Sequence, residues 1–170
     1  MITSAGNQTS ISLADAVAAH HFVADMPRRY LETMLEAAMF KQFERDEVIF
    51  TEGEPANRFY LICEGRVVVE ATARVGSPIV IQTLGANEVL GWSWLFPPFR
   101  WHFGARAIEP TSAVFFYGTR LRQRCEDDPA FGYDLMKRVA GVLIHRLRHT
   151  GSQMLPSSGQ NALRPMASPR

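Results

Sequence analysis

Seven short apolar segments lie about ten residues apart between positions 40 and 117. Within them apolar and polar residues alternate with a period of two, and Val, Ile and Phe are frequent. Glycines suited to tight turns separate several of the segments, among them Gly53, Gly65 and Gly85. The pattern predicts an antiparallel sandwich or barrel. The predicted strands are residues 40–43, 48–51, 59–63, 66–71, 78–83, 103–108 and 112–117.

Helical periodicity lies on both sides of these strands. Ser12 and Asp128 are suited to cap helices, and Gly151 is suited to end one. The predicted helices are residues 12–24, 28–39, 119–125 and 129–149. The expected fold class is therefore α+β but mainly β, with helices at both ends of the strands. One domain is expected over residues 11–149, with a disordered N-terminus (1–10) and a flexible tail (150–170).

Composition excludes several functional classes. The 170 residues carry a formal net charge of +1 with scattered basic residues, which argues against DNA or an anionic membrane as a partner. Signal-peptide and membrane-spanning patterns are absent, so a cytoplasmic location is expected. No metal site and no enzymatic activity are expected, because His102 is the only histidine in the strand region and no catalytic motif occurs.

The stretch from Gly91 to Ala107 interrupts the strand pattern and holds all three tryptophans. Pro97 and Pro98 restrict any helix after Gly91 to a single turn. The free N–H groups of such a turn form a weak anion site.

Residues 47–54 (EVIFTEGE) and 59–67 (FYLICEGRV), with Gly91 and Leu95 after them, resemble the cyclic-nucleotide-binding domain of the catabolite-activator (Crp/Fnr) type. The resemblance covers about residues 22–149 and implies an antiparallel β-roll, or double-stranded jelly roll. It also implies a phosphate-binding cassette, in which a glutamate binds the ribose and an arginine neutralises the cyclic phosphate. Cyclic AMP or cyclic GMP is then the candidate ligand.

The cassette departs from that family pattern, since Trp92 stands at the glutamate position and Trp101 at the arginine position. Arg100 and His102 would face the pocket only if the strand shifted its phase by one residue. The tryptophans either fill the pocket or form a cage for a flat ligand. The candidate ligand-binding residues are Gly91, Trp92, Ser93, Trp94, Leu95, Arg100, Trp101 and His102.

Two functions follow from these features. The first is a regulatory ligand-binding domain that signals through an unidentified partner protein or through dimerisation, without a DNA-binding output because only a tail is expected after His149. The alternative is a ligand-free interaction module with a tryptophan-filled pocket. An apolar stripe on the last helix is predicted either to form a homodimer interface or to pack on its own β-roll. Its residues are Phe131, Leu135, Val139, Val142 and Leu143.

Overall fold

The computed structural model describes residues 12–73 and 75–154, with side chains described as far as Arg148. The predicted N-terminus (1–10) and the tail beyond residue 154 lie outside the described residues. The helices are α1 (Leu13–Ala18), α2 (Arg28–Leu35), α3 (Gly118–Asp127) and α4 (Pro129–Met154). The strands are β1 (Ala38–Phe43), β2 (Val48–Phe50), β3 (Arg58–Glu64), β4 (Val67–Ala71), β5 (Ile79–Leu84), β6 (Val89–Leu90), β7 (Gly104–Ala107) and β8 (Thr111–Tyr117).

The strands form two four-stranded antiparallel sheets, in the orders β1-β8-β3-β6 and β2-β7-β4-β5. Strand β8 is central to the first sheet and pairs with β1 from Ala38–Phe116 to Phe43–Thr111. Apolar side chains from both sheets meet between them, where the ring centre of Phe50 in β2 lies 6.0 Å from that of Tyr60 in β3. The opposite face of β3 packs against the N-terminal helical segment, with Phe59 5.1 Å from Phe22. The mainly-β fold with helices at both ends is the predicted class, and it is the jelly-roll architecture that the resemblance implies.

Each of the seven predicted strands is present, and the boundaries differ by a few residues. Strand β6 was not predicted, because two residues before Gly91 are too few to show an alternation. Helix α2 ends four residues early, at Leu35, because β1 already begins at Ala38. Helix α4 passes through Gly151 and ends at Met154, so the predicted stop at Gly151 is wrong.

The first predicted helix is broken at His20. Helix α1 ends at Ala18, and a 3-10 turn follows at His21–Val23. The Nδ1 atom of the buried His20 accepts a hydrogen bond of 3.1 Å from the backbone N–H of Phe22, which caps this turn. A side chain that caps the next turn favours ending the preceding helix.

The apolar stripe on helix α4, from Phe131 to Leu143, packs on its own chain. This is the face for which the sequence analysis offered a dimer interface as one interpretation. Phe131 is 1% exposed and lies 5.5 Å from the ring of Tyr30 in α2. Leu135 and Val139 are also buried, and Val142 and Leu143 are half-buried against the same core. Of the two interpretations of this stripe, the structure shows the packing on its own chain. The homodimer interface through these residues stays a prediction.

No helix within residues 12–73 and 75–154 has the length and apolarity needed to span a bilayer. In the same part of the chain, no three His, Cys, Asp or Glu side chains converge as a metal site would require.

Candidate functional site

The cassette lies between β6 and β7 and contains only a three-residue 3-10 turn, Ser93–Leu95. Gly91 precedes the turn with a φ of +80°. A Cβ atom at this position would lie 2.8 Å and 2.9 Å from two ring carbons of Trp101. Both the backbone conformation and the space beside it therefore require glycine at this position.

Trp101 occupies the interior of the β-roll at the family's arginine position. Its side chain is 5% exposed and stacks on Phe50, with ring centres 3.8 Å apart and planes 11° apart. Its backbone N–H donates to the carbonyl of Glu54, and its carbonyl accepts from the N–H of Gly53. The position that would carry a phosphate-neutralising cation instead holds an apolar ring.

Arg100 lies outside the pocket. Its side chain is exposed, and its Nη1 donates a 2.7 Å hydrogen bond to the carbonyl oxygen of Gly53. Arg100 forms an isolated bridge with Pro55 before β7 begins, and it is exposed while the adjacent Trp101 is buried. Arg100 therefore does not replace the missing arginine.

Ser93 and His102 approach each other across the cassette. The Oγ of the buried Ser93 lies 3.0 Å from Nδ1 of His102, so one of the two atoms donates and the other accepts. His102 itself is exposed. The contact fastens the 3-10 turn to the segment that leads into β7.

Trp94 is fully buried and Leu95 is half-buried. The indole of Trp94 packs 5.9 Å from Phe59, and a Cβ at Gly118 would lie 2.8 Å from its Cβ. Within the described residues its Nε1 has no hydrogen-bond partner. Trp94 is thus a packing residue that anchors the cassette against β3 and α3.

Arg122 of α3 holds the outer part of the cassette, a role the sequence did not indicate. Its Nη1 donates to the carbonyl oxygen of Trp94, and its guanidinium lies 4.3 Å from the ring centre of Phe99. The spacing of residues within α3 carries no information about a loop 28 residues earlier in the chain, so this contact is visible only in the structure.

Trp92, at the family's glutamate position, contacts helix α4. The guanidinium of Arg146 lies 4.5 Å from its ring centre and donates from Nη2 to the carbonyl oxygen of Val89. Burial lowers the pKa of Arg146 to about 10, although the charge of Glu88 acts in the opposite direction. A cation–π contact thus joins the last helix to the cassette.

The structure separates the eight candidate residues. Gly91 lies against Trp101, Trp92 faces α4, Ser93 pairs with His102, and Trp94 with Leu95 packs into the core. Arg100 stands apart on the surface. The arrangement provides aromatic packing where the family provides a carboxylate and a guanidinium, so it lacks the two groups that bind the ribose and the cyclic phosphate.

Comparison with known proteins gives a consistent result. The family model for the cyclic nucleotide-binding domain matches residues 40–128. The CRP-like cAMP-activated global transcriptional regulator of Mycobacterium tuberculosis is 30% identical over 123 residues, which are 69% of this chain and 53% of that protein. The chain thus spans about half the length of this relative.

Solved structures extend the similarity to the whole β-roll. A proposed cyclic nucleotide-binding protein from Geobacter metallireducens has a TM-score of 0.72 and 27% identity, covering 79% of this chain and 97% of that one. A cyclic nucleotide-binding domain from Methylobacillus flagellatus has a TM-score of 0.70 and covers 89% and 85% of the two chains. The latter is only 20% identical, so its likeness concerns the fold.

Proposed function

This chain belongs to the cyclic-nucleotide-binding domain family, and from that premise we propose that it is a regulatory module whose β-roll pocket is closed by Trp101. In this function the β-roll binds no ligand, as in the interaction-module alternative of the sequence analysis. The protein would signal through dimerisation or a partner protein and not through catalysis. The observation that carries it is the stacking of Trp101 on Phe50 at 3.8 Å beside Gly91. A cyclic phosphate would need this space and a cation within it.

Titration with cyclic AMP and cyclic GMP is expected to give no saturable binding up to millimolar nucleotide. The reason is that the helix-turn amides alone contribute only about 1 kcal/mol toward an anion. Intrinsic tryptophan fluorescence is a direct readout, since all three tryptophans lie in the cassette, and calorimetry controls for absorption by the nucleotide. Micromolar, saturable binding of either nucleotide would contradict a closed pocket.

The outer face of α4 supports dimerisation. Tyr133, Met136, Ala140, Leu143 and Leu147 follow alternating spacings of three and four residues, which is the heptad pattern of a coiled-coil interface. Leu147 is 73% exposed, Tyr133 and Met136 are exposed, and Ile144 flanks them. We call these six residues the outer α4 face. The occupant proposed for it is the same face of a second copy of this chain.

Leu147→Glu is expected to convert the dimer into a monomer at micromolar concentration. A dimer loses two buried leucines and places two like charges together, which weakens association by about 100-fold or more. Size-exclusion chromatography with light scattering measures the mass across a dilution series. Gln123→Glu introduces the same charge on the exposed surface of α3 and should leave the mass unchanged. A wild-type protein that is monomeric at every concentration would exclude this interface.

A further inference from the structure

A second concave site lies outside the β-roll. It is a groove of about 450 Å³ between α4, the 3-10 turn at His21–Val23 and the turn from β5 to β6. Phe22, Val89 and Val142 give it apolar walls. None of its lining residues belongs to the cassette residues 91–102. We call it the helix groove, and it is distinct from the pocket that Trp101 fills.

Gly141 keeps the helix groove open. It lies near the middle of the 26-residue helix α4, where glycine destabilises a helix by about 1 kcal/mol relative to alanine. A Cβ atom at Gly141 would meet no atom within 4 Å, so packing does not require the glycine. Arg138, Val142 and His145 line the groove from the same helix face. A side chain at position 141 would project into the space that these residues surround.

The ionisable groups of the helix groove are mostly basic. Two guanidinium groups (Arg138 and Arg146) and two imidazoles (His21 and His145) line it, against one carboxylate, Glu88. The Oε2 of Glu88 already accepts a 2.7 Å hydrogen bond from the backbone N–H of Gly85. The groove therefore combines apolar walls with two guanidinium groups, of which Arg138 pairs with Asp134 and Arg146 lies near Glu88.

Arg138 is held in a fixed orientation at this site. Its Nε donates to Asp134 at 2.7 Å, and its Nη1 donates to the carbonyl oxygens of Phe22 and Ala24 at 3.0 Å and 2.7 Å. These bonds also position the 3-10 turn against α4. A positioned guanidinium beside apolar walls loses less conformational entropy on binding an anion than a mobile one would.

We propose that the helix groove binds a small amphipathic anion, with a flat apolar body and one carboxylate, sulfonate or phosphate group. Its volume is within the range of about 300–1,000 Å³ that small-molecule sites occupy. The apolar body would lie on Phe22 and Val142 across Gly141, with the anionic group toward the two arginines. Because Arg146 also contacts Val89 and Trp92, an occupant would touch a side chain that joins the helix carrying the outer α4 face to the cassette.

The test uses a matched pair of probes, 8-anilinonaphthalene-1-sulfonate and N-phenyl-1-naphthylamine, which share an apolar body and differ in the sulfonate. The sulfonate probe is expected to bind one site per chain. The affinity of the neutral probe is expected to be lower by about tenfold or more. Gly141→Leu fills the groove and is expected to weaken the sulfonate probe by about tenfold or more. Ala130→Leu adds the same side chain at an exposed position near the start of α4 and should leave affinity unchanged.

Each other outcome overturns the proposal. Equal affinity for the two probes removes the anion preference, and unchanged affinity in Gly141→Leu places the probe elsewhere. Absence of binding up to millimolar probe excludes the site. Circular dichroism verifies that Gly141→Leu is folded, and if it is not, His145→Ala is measured instead, with weaker sulfonate binding expected and unchanged binding overturning the proposal. Light scattering on the same samples measures the dimer independently of probe binding. A groove that binds no probe can therefore be distinguished from a protein that forms no dimer.

Discussion

Trp101→Ala is expected to lower the free energy of unfolding by about 3–5 kcal/mol, since it removes a large buried aromatic and leaves a cavity in the β-roll. Trp101 is 5% exposed, stacks on Phe50 and fills the space beside Gly91. The backbone hydrogen bonds of Trp101 to Gly53 and Glu54 hold this segment in place, so we expect the cavity to stay open. Urea denaturation followed by circular dichroism measures the loss at a fixed protomer concentration.

Two further variants sharpen this measurement. Trp101→Phe keeps a ring against Phe50 and should lose distinctly less stability than the alanine variant. Trp92→Ala removes the same kind of side chain from a half-buried position and should lose less as well, because only part of its surface is buried. If Trp101→Ala unfolded at the same urea concentration as the wild type, Trp101 would not fill a packed pocket.

Acidification is expected to destabilise the protein by about 2.5 kcal/mol through His20 alone, between about pH 7 and pH 4.5. Burial of the imidazole lowers the pKa of His20 to about 4, and the backbone of Glu88 and Ile62 offsets only part of this effect. The unfolded chain binds a proton near pH 6.5, whereas the folded chain binds it only near pH 4. The stability that the unprotonated His20 contributes to the folded state is therefore fully present above pH 6.5. It is lost as pH falls from there through the pKa of the folded state.

The measurement is urea denaturation at several pH values for the wild type and for His20→Asn. Asparagine retains an oxygen that can accept the N–H of Phe22, but it cannot titrate. The variant should thus show a shallower dependence of stability on pH than the wild type. Identical slopes for the wild type and His20→Asn would show that His20 titrates normally.

The strands were predictable because they depend on local information. Alternation with a period of two and glycines at turns are visible in a window of about ten residues, and they mark every strand except the two-residue β6. Helix ends were less predictable, since α2 stops where β1 pairs with β8, a contact between residues 78 positions apart such as Ala38 and Phe116. Gly151 does not end α4, because a glycine within a helix costs only about 1 kcal/mol.

At the site, the sequence predicted which side chains face opposite ways, but it did not predict which residues they contact. Trp101 is buried and Arg100 exposed, which are the opposite orientations expected of neighbouring residues in an extended chain. The contacts of Arg122 with Trp94 and of Arg146 with Trp92 depend on how α3 and α4 pack on the cassette. The stripe on α4 was recognisable as apolar, but which of two apolar faces packs on the roll is decided by tertiary contacts such as Phe131 with Tyr30.

The fit between Gly91 and Trp101 has an evolutionary consequence. The single tryptophan codon differs from two arginine codons by one nucleotide, so one point mutation would return a guanidinium to the interior of the roll. The indole ring of Trp101 is what a Cβ atom at position 91 would meet, so its loss would leave open space beside Gly91. The codon for Trp92 is two changes away from glutamate. Lineages of this domain can therefore move between closed and cation-bearing rolls at position 101 alone, before any change at position 92.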